Sequence, residues 1–356
     1  MNLLFKIISI SLLIICCSNS DKKKDINFSN VSNAGIFQSE QFEFSLIAVG
    51  DIMLGSGYPS ESYLAPRDGL HLLDSAAELI KSADIAFGNL EGAIIDTGNS
   101  KKECSGVCYY FRMKEIAGSI LKNAGFDILN LANNHSSDFG YSGLRNTQKV
   151  LDNNSILHFG IEEKPYEIME FKGKKIGFIG FATSTNTVNM NNIENCVEHI
   201  KALDSIADII VVSFHGGGEG SKYKHITRET EIFLETKRGN PFAFSRAMID
   251  AGADIIIGHG PHVPRAAEIY NNRLIVYSLG NFCTYKQFSL SGTNRYAPML
   301  SAKFNENGEV IDFDFHSFIQ KSPGIPVLDK QNNAKKEILR LSAIDFPTSG
   351  IHLWKK

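Results

Sequence analysis

The chain is short of the features that mark several protein classes. Its 36 lysines and arginines are outnumbered by 39 aspartates and glutamates, for a formal charge of −3 over 356 residues. There is therefore no basic footprint for nucleic acid and no strong field to steer a charged ligand from afar. Cysteine is scarce, with six in all; beyond the adjacent Cys16 and Cys17, only Cys104 and Cys108 lie close together. With no second such pair, a four-cysteine zinc cluster is excluded. A local Cys104–Cys108 disulfide is expected in an oxidising compartment, metal binding being the other use of such a pair, and Cys196 and Cys283 are expected to be buried free thiols. There is no internal repeat and no low-complexity tract outside residues 18–41. The apolar run near the start, Ile7 to Ile15, is too short to span a bilayer.

What is present begins with that run. Lys6, the apolar stretch and then Cys16, Cys17 and Ser18 read as an export signal. It resembles the lipobox of bacterial lipoproteins, with Cys17, preceded by small Cys16, the expected lipidated residue; an ordinary cleaved signal is the alternative. The expected organisation is a signal peptide over 1–17, a flexible polar tether over 18–41, one domain over 42–320, and a C-terminal extension over 321–356 packed on it. Hydrophobic content of 43% with 21% charged residues is ordinary for a globular domain.

Five times along that domain, an apolar run that reads as a buried strand ends in metal-binding or phosphate-binding side chains. Ser45–Gly50 delivers Asp51, and Asp84–Gly88 delivers Asn89 and Glu91. Ile128–Ala132 delivers Asn133, Asn134 and His135; Ile209–Phe214 delivers His215; Ile255–Gly258 delivers His259 and His262. The carboxyl ends of parallel strands are where α/β sheets place their ligands. Carboxylate, amide and imidazole together form the donor set that suits divalent Mn, Fe or Zn. Because these residues span most of the chain, a single site implies a single domain.

Between these strands the periodicity predicts helices over Leu70–Lys81, Lys114–Ala124, Tyr141–Asn153, Asn195–Ile206 and Pro241–Ala251. A hairpin is predicted at Tyr166–Phe171 and Lys174–Phe181, and antiparallel strands beyond Ala266. The expectation is an α/β fold of two mixed sheets packed together with helices outside.

At this point six segments, taken in order, resemble the calcineurin-like metallophosphoesterases, and within them the CapA/PgsA-type proteins of poly-γ-glutamate capsule synthesis. They are Gly-Asp51-Ile-Met-Leu-Gly, Gly-Asn89-Leu-Glu91-Gly, Asn133-Asn134-His135-Ser-Ser-Asp138, Phe-His215-Gly-Gly-Gly-Glu219, Gly-His259-Gly-Pro-His262 and Ser-Leu-Gly-Asn281-Phe. The resemblance covers Phe44 to Ile319. It implies a four-layer α/β/β/α sandwich holding one or two divalent metal ions. By that likeness Asp51 and His262 would serve a first metal, Glu91 would bridge, and Asn134, His215 and His259 would hold a second. His135 would act on the leaving group or the phosphate, with Asp138 orienting it.

Asn89, Arg265 and Asn281 are the candidates for substrate contact. Where the wider phosphoesterase pattern has a histidine two residues after the first aspartate, this chain has Met53, a poor ligand for hard ions. Glu91 replaces the usual bridging aspartate, and the glycine run after His215 is expected to admit a ligand close to the backbone.

The implied function is that of an extracytoplasmic, lipid-anchored, metal-dependent hydrolase-like protein of the bacterial cell envelope, acting in capsule or surface-polymer assembly. Its implied partners are an anionic polymer or phosphoester substrate, the membrane through the lipid anchor, and a polyglutamate synthase or export complex. A non-catalytic assembly scaffold is the rival. A secreted nucleotidase is a third possibility, although no segment resembles a purine-stacking domain.

Overall fold

A computed structural model describes residues 42–100 and 108–351 of the chain. Their apolar runs assemble into two sheets. In the first, Glu43–Met53 is central and runs parallel to Ile85–Leu90, followed outward by Ile128–Asn130 and Leu157–Phe159. On its other side lie the antiparallel strands Tyr296–Asn305, Val310–Lys321 and Ile325–Leu328. The short strand Asn281–Thr284 pairs in parallel with the last residues of Glu43–Met53. In the second sheet, Ile209–His215 runs parallel to both its neighbours, Lys174–Ala182 and Ile255–His259. Arg273–Val276 extends the parallel set, and Ala267–Tyr270 and Tyr166–Phe171 form antiparallel edges.

The layering follows from the alternation of side chains along each strand. Leu46 and Ala48 face the space between the sheets, where they meet Phe87, Phe178, Val211 and Ile257. Ile47 and Val49 point the other way, onto Ala76, Ile80, Leu121 and Leu151. These belong to the helices Asp74–Ile80, Ala117–Ala124 and Gly140–Asn153. In the second sheet Ile209 and Val211 face inward, while Ile210, Val212 and Phe214 pack outward on the helices Ile193–Asp204 and Pro241–Asp250 through Cys196, Ile200, Phe244 and Met248. The result is the expected α/β/β/α order. Each such buried side chain contributes about 1.5–3 kcal/mol of burial free energy, so both faces of both sheets help to fix the strand ends.

Local chemistry sets several boundaries. Ala117–Ala124 stops at Gly125, which takes a left-handed φ of 107°. Asn192 and Asn240 cap the two second-sheet helices by accepting from the Asn195 and Ala243 amides. The helix predicted from Leu70 begins only at Asp74, after a 3-10 turn over Pro66–Gly69. The strand predicted to run to Ala132 ends at Asn130, whose side-chain amide bonds both the N–H and the C=O of Ala132 and turns the chain aside.

Residues beyond 320 do more than pack on the domain. Ile325–Leu328 is a strand of the first sheet, and the helix Asn333–Asp345 places Ile338 in the inter-sheet core and Leu341 among the outer residues of the second sheet. Cys196 and Cys283 are buried free thiols. The expected signal peptide, tether and Cys17, and Cys104 of the expected disulfide, lie outside the described residues. Among the described residues no helix is long and apolar enough to cross a membrane.

Candidate metal centre

Parallel strands share one carboxyl edge per sheet, and here the two edges meet. Asp51 stands level with Asn89 on one side and Asn281 on the other, and His215 stands level with His259. Gly50 permits the alignment of Asp51 with Asn281. A Cβ at that position would collide with the carbonyl oxygens of Gly280 and Leu279, whereas its absence lets the Asp51 amide donate to the Gly280 carbonyl at 2.9 Å.

The cluster that forms is entirely buried. Asp51 Oδ1 accepts from Asn89 Nδ2 at 2.8 Å, and Oδ2 lies 3.0 Å from His262 Nδ1. His262, held at a left-handed φ of 58°, also brings Nδ1 to 3.0 Å from Asn281 Oδ1. Glu91 Oε1 lies 3.8 Å from both His215 Nε2 and His262 Nε2. His259 Nδ1 is 3.4 Å from Asp51 Oδ1, within ion-pair range but without hydrogen-bond geometry. Asp51, Glu91 and His262 can bring ligand atoms within 4.8 Å of one another.

This geometry fits a cation. Neither Glu91 oxygen, nor His215 Nε2, nor either ring nitrogen of His259 has a hydrogen-bond partner among the described residues, although all three residues are 0% exposed. Each such orphan costs about 1–3 kcal/mol, and more when charged, so their gathering in one buried cluster calls for groups that satisfy them. Proton affinities point the same way. Burial, and then the charge of Asp51, push the Glu91 carboxyl well above its ordinary range. Burial drives His215 well below the usual imidazole value. Burial also opposes charge on Asp51, but the adjacent His259 and His262 imidazoles hold its carboxyl well below the usual range. Burial opposes charge on His262 too, but Glu91 and Asp51 lift it to about 10. Buried carboxyl groups beside buried imidazoles are a set of hard and borderline donors for a divalent ion.

His135 stands at the wall of an adjoining cavity of about 260 Å³, with Tyr109, Phe111, Glu219, His262 and Phe288 also on the wall. Its Nδ1 is 2.8 Å from Asp138 Oδ2, which also accepts the Phe111 amide at 2.9 Å, and the Phe111 ring packs 4.1 Å from the imidazole. The ring is thus fixed from two sides. A larger cavity of about 520 Å³ is bounded by Asn134, Ser137, Tyr141 and Glu163 among others. It touches the candidate set only at Asn134, so the smaller one is better placed for the cluster's chemistry.

Several residues sit differently from expectation. Arg265, a candidate for substrate contact, is 0% exposed and bound in bidentate fashion to Glu231, Nη1–Oε1 at 2.9 Å and Nη2–Oε2 at 2.8 Å. Its Nη donors are spent inside the protein. Asn89 and Asn281 do not line the cavity; they brace Asp51 and His262 from behind. The space over the glycine run is filled by the chain itself, by Met190 at Gly216, the Arg265 guanidinium at Gly217 and Tyr223 at Gly218. Met53 turns its sulfur to the Gly55 amide at 3.2 Å and adds nothing to the cluster.

Two further residues support the site, and one of them escaped the sequence. Asn130 and Asn133 both donate to Asn89 Oδ1, at 3.0 and 3.3 Å, and so orient the Asn89 amide toward Asp51. Asn133 stood in view at the strand end, but Asn130 was hidden inside an apolar run.

Two sheets with carboxylate, amide and imidazole side chains gathered between their edges define an α/β protein with a candidate metal site. The chain matches the family described as bacterial capsule synthesis protein PGA_cap over residues 45–286, and it belongs to that family. It is 28% identical over 271 residues to the capsule biosynthesis protein CapA of Bacillus anthracis, covering 70% of this chain and 62% of that protein. It is also 28% identical over 288 residues to the PGA biosynthesis protein CapA of Bacillus subtilis, covering 75% and 70%. Among solved structures it is similar to a 5′-nucleotidase precursor from Thermus thermophilus, with a TM-score of 0.40 and 12% identity over 85% of this chain and 59% of that one.

Proposed function

We propose that the protein is a metal-dependent phosphoester hydrolase of the bacterial cell envelope, extracytoplasmic and lipid-anchored through Cys17. In this reading it serves poly-γ-glutamate capsule or other surface-polymer synthesis and export, alongside a polyglutamate synthase or export complex. The polymer role draws on family membership and on the named role of the Bacillus relatives. The hydrolase role draws on one observation above all. Glu91 is fully buried, both its oxygens lack hydrogen-bond partners among the described residues, and two imidazole nitrogens stand 3.8 Å from one of them.

Asp51, Glu91, His215, His259 and His262 would hold one or two Mn, Fe or Zn ions, with the Asn134 amide as a further donor. When bound, such an ion supplies Lewis acidity, polarising a phosphoryl oxygen and lowering the pKa of a water. The chain's own residues do the rest. Asn89 and Asn281 fix Asp51 and His262, and Phe111 with Phe288 exclude water from one side of the cavity. His135, oriented by Asp138, moves a proton to the leaving oxygen, a role worth about 10²–10⁴-fold in rate.

The test is a contrast. His135→Ala leaves metal content near wild type while cutting phosphomonoester or phosphodiester hydrolysis by that factor; His215→Ala loses both. A second reading, a non-catalytic assembly scaffold with a partial metal site, is favoured by Met53, whose sulfur is turned away from the cluster. It stands if wild-type protein hydrolyses nothing on a broad phosphoester panel and His135→Ala restores surface polymer in a deletion strain.

A further inference from the structure

One carboxylate beside the centre has no role in the scheme above. Glu219 follows the glycine run after His215, and its side chain, 24% exposed, lines the cavity shared by His135 and His262. Its Oε1 is 3.1 Å from Arg238 Nη2. Arg238, itself 7% exposed, is tied down by donating Nε–H to the Gly217 carbonyl at 3.1 Å. This grip leaves Glu219 Oε2 facing His262 Nε2 at 3.9 Å. The same nitrogen lies 3.8 Å from Glu91 Oε1, while the other ring nitrogen of His262 is engaged by Asp51 and Asn281. His262 Nε2 therefore looks into a space with a carboxylate oxygen on either side.

The two spacings from His262 Nε2 are those of ligands around one ion. With bonds of about 2.0–2.2 Å, two atoms on the same ion can stand no more than about 4.4 Å apart; separations of 3.8 and 3.9 Å fall inside that bound. Independently, both oxygens of the fully buried Glu91 lack a hydrogen-bond partner among the described residues, which marks the space as a ligand position and not merely a meeting of charges. We propose that Glu219 is a direct ligand of the divalent cation, completing a Glu91, His262 and Glu219 set on the cavity side. The inference rests on the metal reading above and assigns it a residue outside the expected ligand set. Glu219 makes good the donor that Met53 does not supply. Two carboxylates and one imidazole favour an oxygen-preferring ion, Mn over Zn, and the partial exposure of Glu219 leaves that side of the ion open to the cavity.

The test uses the full chain, stripped of metal and titrated with Mn(II), followed by calorimetry and by the electron paramagnetic resonance spectrum of the bound ion. Glu219→Gln keeps the shape and the Arg238 contact but removes the charge. It is expected to weaken Mn binding by about ten-fold or more, the least that loss of a ligand should cost when outer-shell changes already cost that much, and to alter the spectrum. Glu219→Asp, which withdraws the carboxylate by one methylene, is expected to fall between, and it stands in should Glu219→Gln fail to fold. Wild-type affinity and an unaltered spectrum in the variants would overturn the Glu219 assignment and leave the metal reading intact. Failure of the wild-type chain to bind Mn would overturn both.

Discussion

Removing the Arg265 side chain separates its two possible roles. If it met substrate, Arg265→Met would weaken binding and leave folding untouched. The structure predicts the reverse, because the guanidinium is wholly buried, donates twice to Glu231 and once more, at 3.2 Å, to the Gly218 carbonyl. Deleting it strands the Glu231 carboxylate, 5% exposed, with the Gly218 amide at 2.7 Å as its remaining donor among these contacts. Breaking a buried pair by removing one partner costs about 3–5 kcal/mol. At roughly 2 °C per kcal/mol, the low end for domains of some 200 residues, the midpoint of thermal unfolding falls by about 6 °C or more. Circular dichroism melts of the metal-free chain measure this directly. The double variant Arg265→Met/Glu231→Gln should recover at least half of the loss, because the stranded charge is gone and the amide oxygen still accepts from Gly218. A single variant that melts within a degree of wild type, with a raised KM as its main defect, would refute the buried-pair account and return Arg265 to the substrate.

Further expectations concern the supports of the site and its surroundings. Gly50→Ala should lose metal binding while remaining largely folded, because the added methyl displaces the Gly280 turn and with it Asn281 and His262; elemental analysis with near-wild-type circular dichroism checks it. Asn89→Ala should reduce metal affinity without touching the cavity, since it frees the Asp51 carboxylate and orphans the Asn130 and Asn133 amides; calorimetric Mn titration reads the change. Asp254, pushed up to about 6 by burial, holds its proton more tightly folded than unfolded. Its contribution is therefore present below the unfolded value of 3.8 and lost as pH rises through 6. Asp254→Asn should gain stability relative to wild type between pH 4 and 7, about the window set by those two values, and a flat difference in melting temperature would contradict it. If Cys17 is lipidated as proposed, Cys17→Ala should release the protein from the membrane fraction in detergent partitioning, because stable anchoring would need the acyl chains.

Much of this architecture could be read from strand chemistry. Ile209–His215 and Ile255–His259 are apolar on both faces because both faces are covered, and such continuous runs stand out when they break into histidine. What stayed hidden depends on partners distant in sequence or on elements too short to show a period. Asn281–Thr284 has four residues, and only pairing with Glu43–Met53 makes it a strand. The partner of Arg265 lies 34 positions earlier, between the glycine run and Arg265, and no local pattern connects them. The glycines looked like room for a ligand because sequence cannot show that Met190, Arg265 and Tyr223 fill the space. The terminal helix Asn333–Asp345 was within reach, since Ala334, Ile338, Leu341 and Ser342 recur at helical spacing and are all buried.

The central claim, that the strand ends converge to hold a divalent cation through Glu91, is tested most directly by metal analysis of two proteins prepared side by side. Wild-type chain, purified without chelators and then incubated with Mn(II) or Zn(II) and desalted, should retain at least one ion per chain. Glu91→Gln, which keeps the shape and removes the charge, should retain far less. A wild-type chain that holds no metal under these conditions, or a Glu91→Gln chain that holds as much as wild type, would contradict it.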